Sequence, residues 1–437
     1  MNFRSVAARL AGAMAIVGAG LTPAQAQDEH AGHAGHQTTP ARQASHEGHD
    51  TESMAREGSG TSWLPDATPM YAFHGSRSGW QLMGHENLFV QYLHESGDRG
   101  ADQGGSINWF MGMAQRPVGK GRLRLNGMVS LEPFTIPGCG YPDLLASGER
   151  CDGEAIHDRQ HPHDLFMELS ARYDAPLARG LRWEIYGGPA AEPALGPVAF
   201  PHRISAMPNP IAPVSHHWLD ATHVSFGVVT GGVYGLKWKA EASAFNGREP
   251  DEDRLGIDFG PLDSVSGRFT YLPVRAVALQ VSAGRLADAE AGEPGEPRTT
   301  VTRTTASATV HTGVRDGSIW ATTMAWGRNA EADHDATNAF LVETNFTRRE
   351  RDTWFGRFEA TKKSAHDLAL EHGDELFTVA KLQGGYTRYF SPKAGFAPGL
   401  GGALSFGLVP ESLAAVYGRR VNSGIAVFLT VRPAGRT

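Results

Sequence analysis

From about His85 onward the chain repeats one pattern: stretches of roughly ten residues in which polar and apolar side chains alternate, the period of a β-strand. Leu165, Met167, Leu169, Ala171 and Tyr173 share one parity, while Glu168, Ser170 and Arg172 share the other. Arg122, Arg124 and Asn126 alternate with Leu123, Leu125 and Gly127. Lys237, Lys239, Glu241 and Ser243 alternate with Leu236, Trp238, Ala240, Ala242 and Ala244, and Arg357, Glu359 and Thr361 with Gly356, Phe358 and Ala360. Strands of this kind have one charged and one apolar face. They suit either a soluble sheet with a wet face or a transmembrane barrel with a polar lumen and a lipid-facing exterior.

The connections between strands favour the barrel. Strands are expected near residues 86–95, 105–116, 120–131, 164–175, 181–188, 222–230, 234–246, 264–273, 276–285, 300–312, 317–327, 337–347, 353–363, 375–390, 394–407 and 421–432. Links of a few residues (117–119, 176–180, 231–233, 274–275, 313–316, 348–352) alternate with long ones (132–163, 189–221, 248–263, 287–299, 408–420). Short periplasmic turns and long extracellular loops alternate in this way in outer-membrane barrels, and a soluble sandwich has no reason to do so. The fold class is therefore all-β: a transmembrane antiparallel barrel of about sixteen strands, within roughly 14 to 18. The tail Pro433-Ala434-Gly435-Arg436-Thr437 departs from the aromatic residue on which such barrels usually end.

The N-terminus fits an exported protein. Arg4 and Arg9 precede an apolar stretch from Leu10 to Leu21, and Ala24-Gln25-Ala26 matches a signal-peptidase site. This gives a signal peptide over residues 1–26, a disordered His-rich periplasmic tail over 27–62, a lead-in segment over 63–84 and the barrel over 85–437. Cys139 and Cys151, the only 2 cysteines, are expected to pair across a short loop in an oxidising compartment. A net charge of -7 argues against a nucleic-acid partner. The expected partners are the lipid bilayer of the outer membrane and a metal ion or small solute, with the tail a docking point for a periplasmic partner.

Chemistry concentrates in the His-Asp-Arg-Gln-His-Pro-His-Asp run at residues 157–164. Pro162 pushes His161 into the extended region. His161 and His163 would then face the same way and could share a divalent metal, with His157, Asp158 and Asp164 as further ligands or supports. The next long loop carries His202 and the His216-His217 pair, with His223 beyond it. If that pair is extended, only one of the two can join the site. Copper or zinc suits such an imidazole-rich set. The plainer alternative is a hydrogen-bonded anchor in which His and Asp pair with Arg159 and each other. The parity of His163 matches that of Leu165 and Met167, so a turn must intervene near Asp164 or the histidines must lie beyond the rim. In the tail, His30, His33, His36, His46 and His49 among Gly and Ala form a second, flexible chelating set.

Trp63-Leu64-Pro65, the Asp158–Asp164 motif, His216-His217-Trp218-Leu219-Asp220 and Phe245-Asn246-Gly247-Arg248-Glu249-Pro250 resemble an uncharacterised family of bacterial outer-membrane β-barrel-type proteins. The resemblance covers most of the mature chain and implies an association with copper or heavy-metal resistance loci, with no activity to carry over. The His-rich leader is similar in composition to outer-membrane copper-resistance proteins of the B type. The leading expectation is an outer-membrane barrel, not an enzyme, that binds or passes a transition metal, copper before others. The alternative is a porin-like channel whose His/Asp loop is structural and whose mixed lumen charge gives no sharp ion selectivity. A hydrolase built on Ser215, His216 and Asp220 is the weakest reading, since adjacency in sequence does not make a triad.

Overall fold

A computed structural model of the chain describes residues 56–290, 298–332, 334–370 and 375–434. The signal peptide and the five tail histidines (His30, His33, His36, His46, His49) lie outside the described residues. The chain enters with a short strand β1 (Phe73–Arg77), followed by β2 (Trp80–Glu95), β3 (Asp102–Val118) and β4 (Gly121–Val129). A separate hairpin of β5 (Tyr141–Cys151) and β6 (Glu154–Gln160) comes next. Then follow β7 (Phe166–Ala178), β8 (Leu181–Ala191), β9 (Ser225–Tyr234), β10 (Trp238–Phe245), β11 (Ser264–Tyr271) and β12 (Val277–Glu290). The last seven are β13 (Thr299–Val314), β14 (Ser318–Glu331), β15 (Thr337–Arg348), β16 (Asp352–Ser364), β17 (Leu376–Tyr389), β18 (Phe396–Leu408) and β19 (Val421–Pro433).

All of these except β5 and β6 belong to one antiparallel sheet, in which β2–β4 and β7–β19 form the ring and β19 returns to pair with β2 through Gly424↔Glu95 to Val431↔Leu88. The result is a closed 16-strand barrel. β1 pairs with the start of β2. The expected strands are all present, and so is the alternation of link lengths. One short link moves: Gly231 and Gly232 stay within β9, and the turn follows at residues 235–237. A Cβ at Gly232 would lie 3.1 Å from Glu184 Oε1 and 3.3 Å from Glu241 Cγ, so this glycine makes room for charged side chains in the lumen. Lys237, expected in the lumen, instead lies in that turn and donates to the Pro273 carbonyl at 3.2 Å.

The outward face is apolar and the inward face polar. On β19, Ile425, Val427 and Leu429 are exposed while Ala426 and Phe428 are buried. Near the short-turn end, Trp320, Phe346, Trp354 and Tyr386 sit opposite one another across β14 to β17, with ring centroids 5.4–6.1 Å apart. Such a row matches the aromatic girdle of a membrane boundary.

The lumen is filled by the chain itself. Residues 192–224, between β8 and β9, are almost entirely buried. A buried loop must pair its backbone groups, and the wall supplies the partners. Ser243 Oγ accepts from the Ala194 N–H at 2.7 Å and Ser282 Oγ from the Gly196 N–H at 2.9 Å. Asn345 donates to the Ile204 carbonyl at 2.7 Å and Arg357 to the Ile211 carbonyl at 2.8 Å. Pro193, Pro197, Pro201, Pro208, Pro210 and Pro213 lack an N–H, so the loop brings fewer donors to satisfy. Leu144, Leu145 and Ala146 of the β5–β6 hairpin pack with Val214, Phe377 and Val379. The Cys139–Cys151 disulfide forms as expected, with a Cα–Cα distance of 5.7 Å.

Residues 56–62, assigned from composition to the disordered tail, are also packed inside. Glu57 pairs with Arg124 and, at 3.4 Å, with Arg172, and the Thr61 carbonyl accepts from Lys239 Nζ at 2.6 Å. Composition misleads here because the lumen wall is polar, and a polar segment is what complements it. The parity problem at His163 is resolved by both a turn and a bulge. Residues 161–165 are not strand, and the β4–β7 register slips between Met128 and Val129. A bulge of this kind re-aims the side chains before it. Met167 is buried, although its parity would place it outside.

Candidate functional site

Two long connections meet in the lumen. From the first come His161 and His163, at the end of the link before β7. From the second come a helical turn α1 (His216–Leu219) and His223. Because α1 is helical, His216 and His217 do not point in opposite directions as an extended pair would. Both approach His161, with ring centroids 6.5 and 6.2 Å away. His216 lies 5.5 Å from His217 and 5.1 Å from His223, and His223 lies 5.3 Å from His163. Phe200 closes one side, 5.4 Å from His216 and 5.8 Å from His163. The turn α1 rests on the wall where β14 has no side chain: a Cβ at Gly327 would lie 2.2 Å from the Trp218 carbonyl oxygen.

Four of the five rings meet an oxygen acceptor at Nδ1, and His161 Nδ1 lies 3.3 Å from Gln160 Nε2. His163 donates from both its backbone N–H and Nδ1 to Glu132 Oε2, at 2.9 and 3.0 Å. His216 Nδ1 meets Asp220 Oδ1 at 2.9 Å. His217 Nδ1 meets Glu249 Oε1 at 3.3 Å, and His223 Nδ1 meets the Asp220 carbonyl at 2.8 Å. An acceptor at Nδ1 fixes the proton there and leaves Nε2 with its lone pair, the arrangement that supports metal-ligating histidines. Among the described residues, the Nε2 atoms of His217 and His223 are buried without a hydrogen-bond partner.

Charge in the cluster is unevenly distributed. Burial, with Arg254 and the neighbouring imidazoles, drives His161 well below the usual histidine range. Burial also lowers His216 and His223, against the pull of Asp220. Burial works against a charged His163 too, but Glu132 outweighs it and the ring lies above the ordinary value. Burial would raise Asp220, yet Arg203 and His216 hold it below the carboxylate range. His202, buried and near His85 and His163, is lowered to about 3 and stays neutral.

The rest of the run at residues 157–164 turns away. His157 is exposed on the β5–β6 hairpin, opposite Ser147. Asp158, at a φ of 54°, accepts from the Leu145 N–H at 2.8 Å and pairs with Arg99 at 3.2 Å. Arg159 donates to Gln103 and the Gly140 carbonyl, both at 2.9 Å. Asp164 pairs with Arg254 at 3.5 Å, and burial raises it to about 6. Among the described residues, no three imidazole or carboxylate donor atoms of the cluster lie within 4.8 Å of one another. Only Cys139, Cys151 and Asp152 meet that spacing, and the cysteines are oxidised. The imidazoles are therefore gathered but not clamped, and a metal would have to draw them inward.

No triad forms at Ser215. Its hydroxyl donates to Glu359 Oε1 at 2.6 Å, while His216 is engaged with Asp220. Sequence reading missed Glu132, Glu249 and Asp220 as supports for the imidazoles, and His223 as a member of the cluster. Glu249 and Asp220 do carry a sequence signal, since each lies in a motif that also contributes to the family resemblance. Trp63, from the first motif, stays apart from the cluster, packed at 5.6 Å against Tyr234 with Lys239 Nζ 5.5 Å from its ring.

Among solved structures, the barrel is similar to OmpF from Salmonella typhi in complex with daunomycin (TM-score 0.49, 9% identity, 82% of this chain and 100% of that one). It is also similar to an anion-selective porin from Comamonas acidovorans (0.48, 10%, 81% and 99%). A third likeness is to the outer membrane channel DcaP of Acinetobacter baumannii (0.44, 10%, 83% and 100%). No family model matches the chain, and no curated protein matches it.

Proposed function

We propose that this chain is exported to the outer membrane, where it binds a divalent transition metal, copper or zinc, at the imidazole cluster inside its barrel. The observation that carries the reading is the set of Nδ1 acceptors on His163, His216, His217 and His223. A loop anchor needs hydrogen bonds, but it does not need several rings presenting the same free nitrogen to one another. The acceptors come from three separate segments (Glu132, Asp220 and Glu249), so the arrangement is built by the fold. His161, His163, His216, His217 and His223 would be the ligand pool, with Asp164 at its edge through Arg254. The tail histidines would collect the same metal or present it to a periplasmic partner.

The test is calorimetric titration of the full chain with zinc and with Cu(II), compared with a His217→Ala, His223→Ala double variant. The variant should lose one class of site or bind it at least tenfold more weakly, with the tail sites unchanged. Identical isotherms would remove the proposal.

A porin-like channel for another solute is the second reading, favoured by the architecture itself. Sixteen strands are enough to enclose an aqueous lumen, and a loop folded into the lumen is a natural constriction. Conductance in planar bilayers that is present without metal and indifferent to it would favour this reading.

A further inference from the structure

Seven of the eight described methionines gather in one part of the lumen, and the eighth, Met324, lies on the lipid face. The inward face of β2 and β3 explains part of this. Met83 is directly opposite Met113, and His85 is directly opposite Met111. Met83 and His85 are two residues apart on one strand, and Met111 and Met113 on the next, so the four side chains form a rectangle on a single face. Directly opposed residues have Cβ atoms about 4.5–5.5 Å apart, within reach of one another's side chains. Met128 extends the pattern opposite Met111 on β4.

This rectangle is the floor of a cavity of about 80 Å³. Met70, Met207 and His202 cover it from the two segments folded into the lumen. A site for one water-sized particle needs only about 10–15 Å³, so the chamber has room for an ion. Glu57 and Arg124 also line it, but they pair with each other and add no net charge. His85 Nδ1 donates to the Tyr71 carbonyl at 2.7 Å, which leaves Nε2 as the nitrogen with the lone pair. Among the described residues, His202 makes ring contacts, 4.9 Å from Trp109 and 5.8 Å from His85, and no hydrogen bond to its ring.

Methionine commonly fills gaps in cores, and a core could explain one or two of these residues. It does not explain a paired lattice of thioethers around an open volume with two imidazoles. Thioethers are poor ligands for hard or strongly hydrated cations and good ones for soft, weakly hydrated ions. We infer that this chamber binds a soft monovalent cation, Cu(I) or Ag(I), through the thioethers of Met83, Met111 and Met113 and the imidazole of His85, with Met70, Met207 and His202 closing over it. The site is separate from the imidazole cluster and does not rest on the divalent reading.

Exchanging Met for Leu nearly conserves volume, so a Met83→Leu, Met111→Leu, Met113→Leu variant removes the sulfurs with little effect on packing. Ag(I) is the probe, followed by calorimetry and X-ray absorption on the full chain. The wild type should show a sulfur shell around silver, and the triple variant should lose it and bind one equivalent at least tenfold more weakly. Zinc binding should be the same in both. Conversely, the His217→Ala, His223→Ala variant should keep the sulfur-ligated silver. A wild type with no sulfur shell, or a triple variant that retains the site at full affinity, would overturn the inference. If the triple variant fails to fold, His85→Gln on its own must weaken Ag(I) binding and leave the isotherm for zinc unchanged.

Discussion

Replacing Arg203 with methionine should release the loop formed by residues 192–224 from the lumen while the barrel wall stays closed. The side chain is 1% exposed, so solvent does not screen its interactions. Its guanidinium pairs with Asp220 at 2.5 Å and Glu343 at 2.6 Å, and donates to the Val198 carbonyl at 2.8 Å. Removing one partner of a buried ion pair costs about 3–5 kcal/mol, because the other charge is left behind. Here each carboxylate keeps a second partner: Arg357 at 3.3 Å from Glu343, and His216 at 2.9 Å from Asp220. The lower end of the range therefore applies, about 3 kcal/mol, which at 1.4 kcal/mol per factor of ten raises the undocked population roughly a hundredfold. Cleavage of a transiently opened segment follows its open population when reclosing is fast. Limited proteolysis of protein in vesicles should show cuts within residues 192–224 accelerating by that factor, and planar bilayers should show a rise in conductance. Adding Asp220→Asn and Glu343→Gln removes the stranded charges and should restore most of the protection. Wild-type cleavage and conductance in the single variant would refute the reasoning, as would a triple variant no better protected than the single one.

Two further outcomes follow from groups inside the barrel. Burial raises Asp143 to about 6 from 3.8, against the opposing pull of Lys381. The folded state then holds this proton more tightly than the unfolded chain, so stability is greatest below about pH 4 and falls as pH rises to about 6. The shift corresponds to on the order of 3 kcal/mol at 1.36 kcal/mol per pH unit. Asp143→Asn should gain on the wild type by that order across the window in urea unfolding, and parallel curves would count against the assignment. Reducing the Cys139–Cys151 disulfide opens a loop with a sequence separation of 12, worth about 3 kcal/mol in the chain-entropy model. Protease sites within residues 137–153 should become accessible while circular dichroism of the barrel holds. Unchanged resistance would mean that the contacts of Glu252 with the backbone at Asp152 and Gly153, at 2.7 and 3.0 Å, are enough to hold the loop.

The barrel was legible because each wall strand turns one polar face to a polar lumen and one apolar face to lipid, which leaves a period of two in almost every segment. Turn positions were less certain where glycine serves packing, as at Gly232 between Glu184 and Glu241. What fills the lumen was not legible. Residues 56–62 read as unstructured because composition rules assume an apolar core, whereas this interior is lined by Arg172, Lys239, Arg268 and Lys381. The site was half legible: donor density found His161, His163, His216 and His217. It could not separate these from His157, exposed on the β5–β6 hairpin, or from Asp158, buried there against Leu145 and Arg99. Nor could it find Glu132, an ordinary residue until the fold sets it beside His163. Of the chamber's methionines only Met111 and Met113 are close in sequence, and strand register is what sets Met83 and Met128 beside them.

Residues 192–224 are joined at both ends to the wall and bonded to strands that come later in the chain. Arg203 meets Glu343 on β15, Ser215 meets Glu359 on β16, and Asn209 meets Gln383 on β17. The seam between β19 and β2 encloses this loop, and the loop's polar groups set where the charges of β15, β16 and β17 must fall. Shortening this loop should therefore impair the making of the barrel before it alters any traffic through it.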